Sequence, residues 1–224
     1  MAVALLFVLI VGVVAGAMAF LQYQARQRRE VAVMALGRQL TFAYSPTDTE
    51  GLERIPFSFF DLGERRQLTN VLSGTHNGVP THFFDFAYYT SNGKSGEWHR
   101  FTCAIATVPA TCPQFALGYE NFFTRAAEHL GLHDVQLESD AFNRRFRVQC
   151  ADQRFAFSLL DAKMMEWLLA SEEFRSLEIL GPFILAVFPQ LDPSQWLGMG
   201  AWLDQFHTHV PEVVYSTYPP QPPQ

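Results

Sequence analysis

Hydrophobic and polar positions change period along this chain, and the first change is the sharpest. From Ala2 to Leu21 no position is charged, and Val, Leu, Ile, Phe, Ala and Gly fill the run on every side. About twenty such residues form a helix of about 30 Å, the hydrocarbon thickness of a bilayer. A core helix is rarely apolar all round. Ala17-Met18-Ala19 resembles a signal-cleavage site, yet the arginines follow the run and none precedes it. The expectation is an uncleaved transmembrane anchor over residues 1–23.

A helical period then continues through Ala25–Leu36, with Val31, Met34 and Ala35 on one face and Gly37 placed as a C-cap. This predicts a juxtamembrane basic helix over residues 24–40. Leu40–Tyr44 alternates as a short strand, and Ile55–Leu62 is an aromatic segment broken by Pro56. Leu68–Thr75, Val79–Thr90 and Trp98–Val108 read as a three-stranded meander, joined by Asn77-Gly78 and by Asn92–Gly96. Beyond the Pro109–Pro113 loop the pattern predicts a strand at Phe115–Tyr119, a helix over Asn121–Leu130 and a strand over Phe142–Cys150. It then predicts one long helix over Phe155–Ala170 and two strands, Leu177–Leu180 and Phe183–Phe188, hinged at Gly181-Pro182. Asp192, Pro193 and Gln195 form a capping box that opens a last helix.

Strands and helices mix without strict β-α-β alternation. The fold class is therefore α+β: an N-terminal transmembrane helix, then an antiparallel or mixed β-sheet packed against several α-helices. The soluble domain is expected over 41–215, with a Pro-rich tail over 216–224.

Charge sharpens the topology. Net charge is −6, but Gln24–Leu40 carries Arg26, Arg28, Arg29 and Arg38 against Glu30, leaving −9 elsewhere. An acidic body excludes nucleic acid as the expected partner. Arginines following the apolar run place the N-terminus outside and the domain in the cytoplasm, beneath a bacterial plasma membrane. They also make Arg26, Arg28 and Arg29 candidates for contact with lipid headgroups or a partner. Gly12 and Gly16 form a G-x-x-x-G, a possible homodimer contact within the anchor.

Candidate chemistry is sparse. Asp85 lies in an aromatic strand with His82 and His99 within reach along the pattern, so a carboxylate–histidine general base is one reading. A structural acid satisfied by a backbone donor or an arginine is the other. His129/His133 and His207/His209 lack a third ligand at a known spacing, so no metal is expected, and nothing suggests a cofactor. Cys103, Cys112 and Cys150 fit buried thiols better than a Cys103–Cys112 disulfide. Arg144, Arg145 and Arg147 suggest a basic stripe for an acidic partner or lipid headgroups, or simply the solvent face of a strand.

The block Glu138–Val148, followed by Asp152, Phe155-Ala-Phe157 and Leu160–Met165, resembles the DUF3137-like family of uncharacterised bacterial membrane-anchored proteins and its actinobacterial relatives. It departs from the family at Ala162-Lys163, just before the Met pair. The resemblance implies a bacterial membrane and a soluble domain, and brings no functional residues. The leading expectation is a membrane-tethered interaction or scaffolding domain with an unidentified protein partner. The alternatives are a hydrolase centred on Asp85 with a nearby histidine, or a lipid-binding domain.

Overall fold

A computed structural model describes residues 1–119, 132–171 and 174–220; the helix expected over Asn121–Leu130 and the last residues of the tail lie outside them. Helix α1 runs unbroken from Ala2 to Leu40, about 58 Å at the α-helical rise. The segments expected as anchor and juxtamembrane helix are thus one continuous helix. Leu6, Phe7, Ile10, Val13 and Phe20 project away from the rest of the molecule, whereas Val33 and Leu36 are buried.

The buried face of α1 differs from the one expected. Val31 and Ala35 are exposed, and the inner stripe is Arg29, Val33, Leu36, Gly37 and Leu40. Arg29 belongs to that stripe because its partner lies 56 residues away, which no local period reveals. The helix also passes Gly37 and stops three residues later. Thr41 adopts φ 60°, the Phe42 N–H donates to the Gly37 carbonyl at 2.8 Å and the Thr41 N–H to Arg38 at 3.4 Å, a Schellman closure. Gly37 serves packing instead: a Cβ there would lie 2.7 Å from Leu72 Cδ2.

Among the described residues seven strands form one antiparallel sheet: β1 (Ala43–Thr47), β2 (Glu64–His76), β3 (Val79–Ser91), β4 (Gly96–Gly118), β5 (His133–Asp134), β6 (Arg147–Cys150) and β7 (Ser176–Pro189). Their order is β1-β2-β3-β4-β6-β5, with β7 also paired to β4. The β2–β4 meander matches expectation, and Asn77 and Gly78 turn with φ 48° and 85°, the two positive values a tight type I′ hairpin demands.

The loop expected at Pro109–Pro113 is absorbed into β4. Strand β7 pairs with β4 from Phe101↔Pro189 to Gly118↔Ser176, with irregular register between Thr107 and Phe115. Both prolines fall in that irregular stretch, where a missing N–H breaks no ladder bond. Gly181, opposite Cys112 at φ 56°, lets β7 bend there as one strand.

Two further boundaries moved. Asp140–Arg145 is a helix, α2, capped by Ser139, and strand begins only at Arg147. The long helix expected over Phe155–Ala170 is two, α3 (Gln153–Leu159) and α4 (Ala162–Ala170), each with its own aspartate N-cap, Asp152 and Asp161. The Asp192–Gln195 capping box forms as read and leads into α5 (Trp196–His209), then α6 (Glu212–Thr217). The packed body continues past 215: Tyr218 donates its hydroxyl to Asp152 at 2.8 Å and accepts the Thr111 N–H at its carbonyl.

The sheet buries both faces. On one, Leu72, Phe83, Phe115 and Leu177 meet the lower part of α1 and the C-terminal helices through Trp196, Met199, Leu203 and Phe206. On the other, the aromatic segment expected at 55–62 forms a strap whose Phe57, Phe59 and Phe60 cover Phe84, Phe86, Cys103 and Val187. The strap is held by Glu178, which accepts from the Ser58 N–H, the Ser58 hydroxyl and the Phe59 N–H at 2.7–2.8 Å. Cys103, Cys112 and Cys150 are all buried thiols.

Candidate functional site: the junction of helix and sheet

Where α1 leaves its apolar half, it is clamped to the sheet. Arg29 donates from Nε to Asp85 Oδ2 at 2.7 Å and from Nη2 to Oδ1 at 2.6 Å, the bidentate geometry that gives arginine–carboxylate pairs their strength. Asn70 Nδ2 donates to Oδ2 at 2.8 Å, and Thr102 donates to Oδ1 at 3.3 Å while accepting the Leu191 N–H at 3.0 Å. Asn70 sits at φ 54° inside the β2 register shift between Thr69 and Leu72. A bulge re-aims a side chain, and asparagine tolerates that backbone. Its own Oδ1 accepts from the Tyr44 hydroxyl at 3.2 Å. The Arg29 guanidinium also lies 5.8 Å from the Trp196 ring. Helix α1, strands β1 to β4, the segment after β7 and the start of α5 therefore meet at one carboxylate.

This arrangement overturns the Asp85 hydrolase reading. Each oxygen of Asp85 already accepts two hydrogen bonds, so it has no lone pair to spare for a substrate proton. Both histidines lie on the opposite face. Asp85 pairs across with Thr102, whereas His82 pairs with Ile105 and Tyr88 with His99, one parity apart along β3. His82 sits 3.0 Å from the Ser73 hydroxyl and 3.7 Å from Glu50, its pKa held down by burial. His99 contacts Thr90 and stacks on Tyr88. Asp85 is an acid satisfied by an arginine and by the side chains of Asn70 and Thr102.

The other sequence candidates are placed as follows. Arg144, Arg145 and Arg147 make no stripe, because the first two are on α2. Arg144 is exposed. Arg145 turns inward, to the Tyr119 hydroxyl and the carbonyls of Leu169 and Ser171. Arg147 pairs with Asp134 at 2.8 Å. His209 stacks on Trp167 and contacts the Gln205 carbonyl, while burial lowers the His207 pKa. One apolar cavity, lined by Val108, Phe155, Ile179, Phe206 and Val214, encloses about 10 Å³, less than an acyl chain occupies, and an open apolar cleft of about 390 Å³ lies between Ile55, Pro56, Leu180, Pro182 and Phe183. Arg26 and Arg28 are exposed beside the clamp and line an open cleft with Arg100 of β4. Sequence reasoning missed Asn70, Thr102, Arg100 and Glu178. Of these only Glu178 left a trace, as a lone acid in the apolar run Leu177–Leu180.

Fold and junction together define an α+β domain carried on a long helix. Among the described residues one helix is long and apolar enough to cross a membrane, by length and composition, and the chain reads as membrane-associated. Residues 101–184 match the family model described as "Protein of unknown function (DUF3137)", so the chain is DUF3137-like over β4 to the first half of β7. The crystal structure of the mycobacterial trehalose monomycolate transport factor A, TtfA, superposes with a TM-score of 0.62 over 88% of this chain and 97% of that one, at 14% identity. That likeness shows a shared fold. No curated protein matches the sequence.

Proposed function

We propose that this protein is a single-pass, membrane-tethered interaction domain, with its N-terminus outside and its sheet domain in the cytoplasm, serving as an accessory to a partner at a bacterial plasma membrane. The observation that supports this most is the rigid connection. Helix α1 enters the fold without a break and is clamped by Arg29 to Asp85. An enzyme that only needs to be near a bilayer is served by a flexible tether. A fixed pose matters for meeting a partner whose own position the membrane fixes.

Arg26, Arg28, Arg29 and Arg38 after the apolar run support the cytoplasmic orientation. TtfA is titled a transport factor, and the shared fold supports an accessory role here without carrying over its cargo. Arg144 is a candidate on the partner surface. Gly12 and Gly16, with nothing within 4 Å of an added Cβ, leave room for a second helix.

The test is a crosslinking pull-down of the full chain from its native membrane, against a variant with a Gly-Ser insertion after Gln24. Partners captured by the natural chain and lost by the folded, membrane-bound variant support fixed presentation. An unchanged set of partners discards it. Accessibility of a cysteine placed at Lys94 to an impermeant reagent reads the orientation separately.

A further inference from the structure

Arg26 and Arg28 leave α1 a few residues beyond its apolar half, and Arg100 reaches the same place from β4. With Gln22, Gln190 and Asp192 they line an open cleft of about 770 Å³. Ala25 and Ala32 leave the space for it on α1. Arg29 also borders the cleft, but its charge is answered by Asp85. Arg26, Arg28 and Arg100 are exposed, and among the described residues none of the three forms an ion pair.

Acids at the rim offset only part of that charge. Asp192 lines the cleft and keeps its negative charge while capping, accepting from the Ser194 N–H at 3.0 Å and hydroxyl at 2.6 Å. Glu30 lies against Tyr44 and lines the adjoining, smaller cleft with Arg26 and Arg100, so that with Arg29 answered by Asp85 the arginines Arg26, Arg28 and Arg100 still outnumber the acids Glu30 and Asp192. Like charges gathered from two elements repel unless an anion sits among them. Guanidinium groups favour phosphate, which they can hold through paired N–H donors.

Position chooses the source of that phosphate. The cleft begins at Gln22, one residue after the apolar run ends. A helix spanning the hydrocarbon layer puts that residue at headgroup depth. We infer that Arg26, Arg28 and Arg100 form a binding site for the phosphate of an anionic phospholipid headgroup, one that seats the sheet domain on the bilayer surface. This rests on the membrane-tethered reading and adds a ligand to it. Arg100 distinguishes it from general attraction between a basic helix and a membrane: a built cleft requires the strand residue, and a polybasic flank does not.

The full chain is reconstituted in nanodiscs of mixed phosphatidylcholine and phosphatidylglycerol, then extracted in mild detergent, and the lipids that stay bound are quantified. Enrichment of phosphatidylglycerol is expected for the natural chain, falling about fivefold in Arg100→Gln and about fivefold in Arg26→Gln. Arg154→Gln, an exposed arginine elsewhere, serves as control and keeps the enrichment. No enrichment in the natural chain overturns the site, as does enrichment lost in Arg26→Gln yet retained in Arg100→Gln. Displacement by soluble glycerol phosphate at equal lipid phosphate concentration overturns the lipid as source. Incorporation into the nanodisc is read in the same experiment, so failure of the cleft is separable from failure of membrane tethering.

Discussion

Arg29 and Asp85 join the second half of a 39-residue helix to the third strand of the sheet through two hydrogen bonds of 2.7 and 2.6 Å. Their side chains are 19% and 8% exposed, so the pair is unequal. Arg29→Met strands a carboxylate that only Asn70 and Thr102 then satisfy, and should cost about 3 kcal/mol. Asp85→Asn leaves a guanidinium that can swing toward the cleft, and should cost about 1–2 kcal/mol. Thermal unfolding of the full chain in detergent checks the order. Equal losses would mean that Arg29 is as trapped as its partner.

Glu178 makes folding pH-dependent. Burial pushes its pKa from 4.5 to about 7, against three hydrogen bonds that pull it down. Between those values the folded state holds a proton that the unfolded chain releases. Its contribution is therefore fully present below 4.5 and declines as pH rises through about 7, by at most about 3 kcal/mol. Denaturation midpoints between pH 5 and pH 8 should fall with rising pH in the natural chain and change less in Glu178→Gln. Matching slopes would remove Glu178 as the cause.

Gly74→Ala should destabilise by about 1–3 kcal/mol. Its Cβ would lie 2.4–2.7 Å from three ring atoms of Phe42, and that ring is stacked on Phe83 at 5.8 Å. Phe42→Leu in the same chain should recover part of the loss, measured as a double-variant cycle. Simple additivity of the two would contradict a direct clash.

Arg144 and Arg145 should separate cleanly. Arg145→Ala removes donors to two carbonyls and the Tyr119 hydroxyl and should cost about 1–3 kcal/mol. Arg144→Ala, at an exposed position, should change stability by less than about 0.5 kcal/mol. Calorimetry of the two variants decides whether a charge reversal at these positions reports on a partner or on folding.

Much of the architecture was legible because its causes are local. The uncharged run, the Asn77-Gly78 turn and the Asp192–Gln195 cap each depend on residues within a few positions of one another. Where the reading failed, a distant neighbour decided. The break at Leu160-Asp161 was visible as a second aspartate cap but hidden by a continuous apolar stripe. The merging of two predicted strands into β4 followed from β7, which pairs with it on both sides of the irregular stretch between Thr107 and Phe115. The candidate site was legible only as parts: Asp85 as an acid needing a partner, Arg26, Arg28 and Arg29 as a charged flank.

By itself, then, the sequence determined an apolar N-terminal helix followed by arginines, an antiparallel meander and an α+β class, since periodicity and turn chemistry act over one or two turns of chain. Tertiary structure alone decided that Asp85 answers Arg29 and faces away from both histidines, that Arg145 is inward, and that Arg100 joins the helix arginines in one cleft. A side chain's partner is set by which strands lie side by side and in what register. A one-residue shift in register exchanges the faces of a strand, and composition carries no record of it.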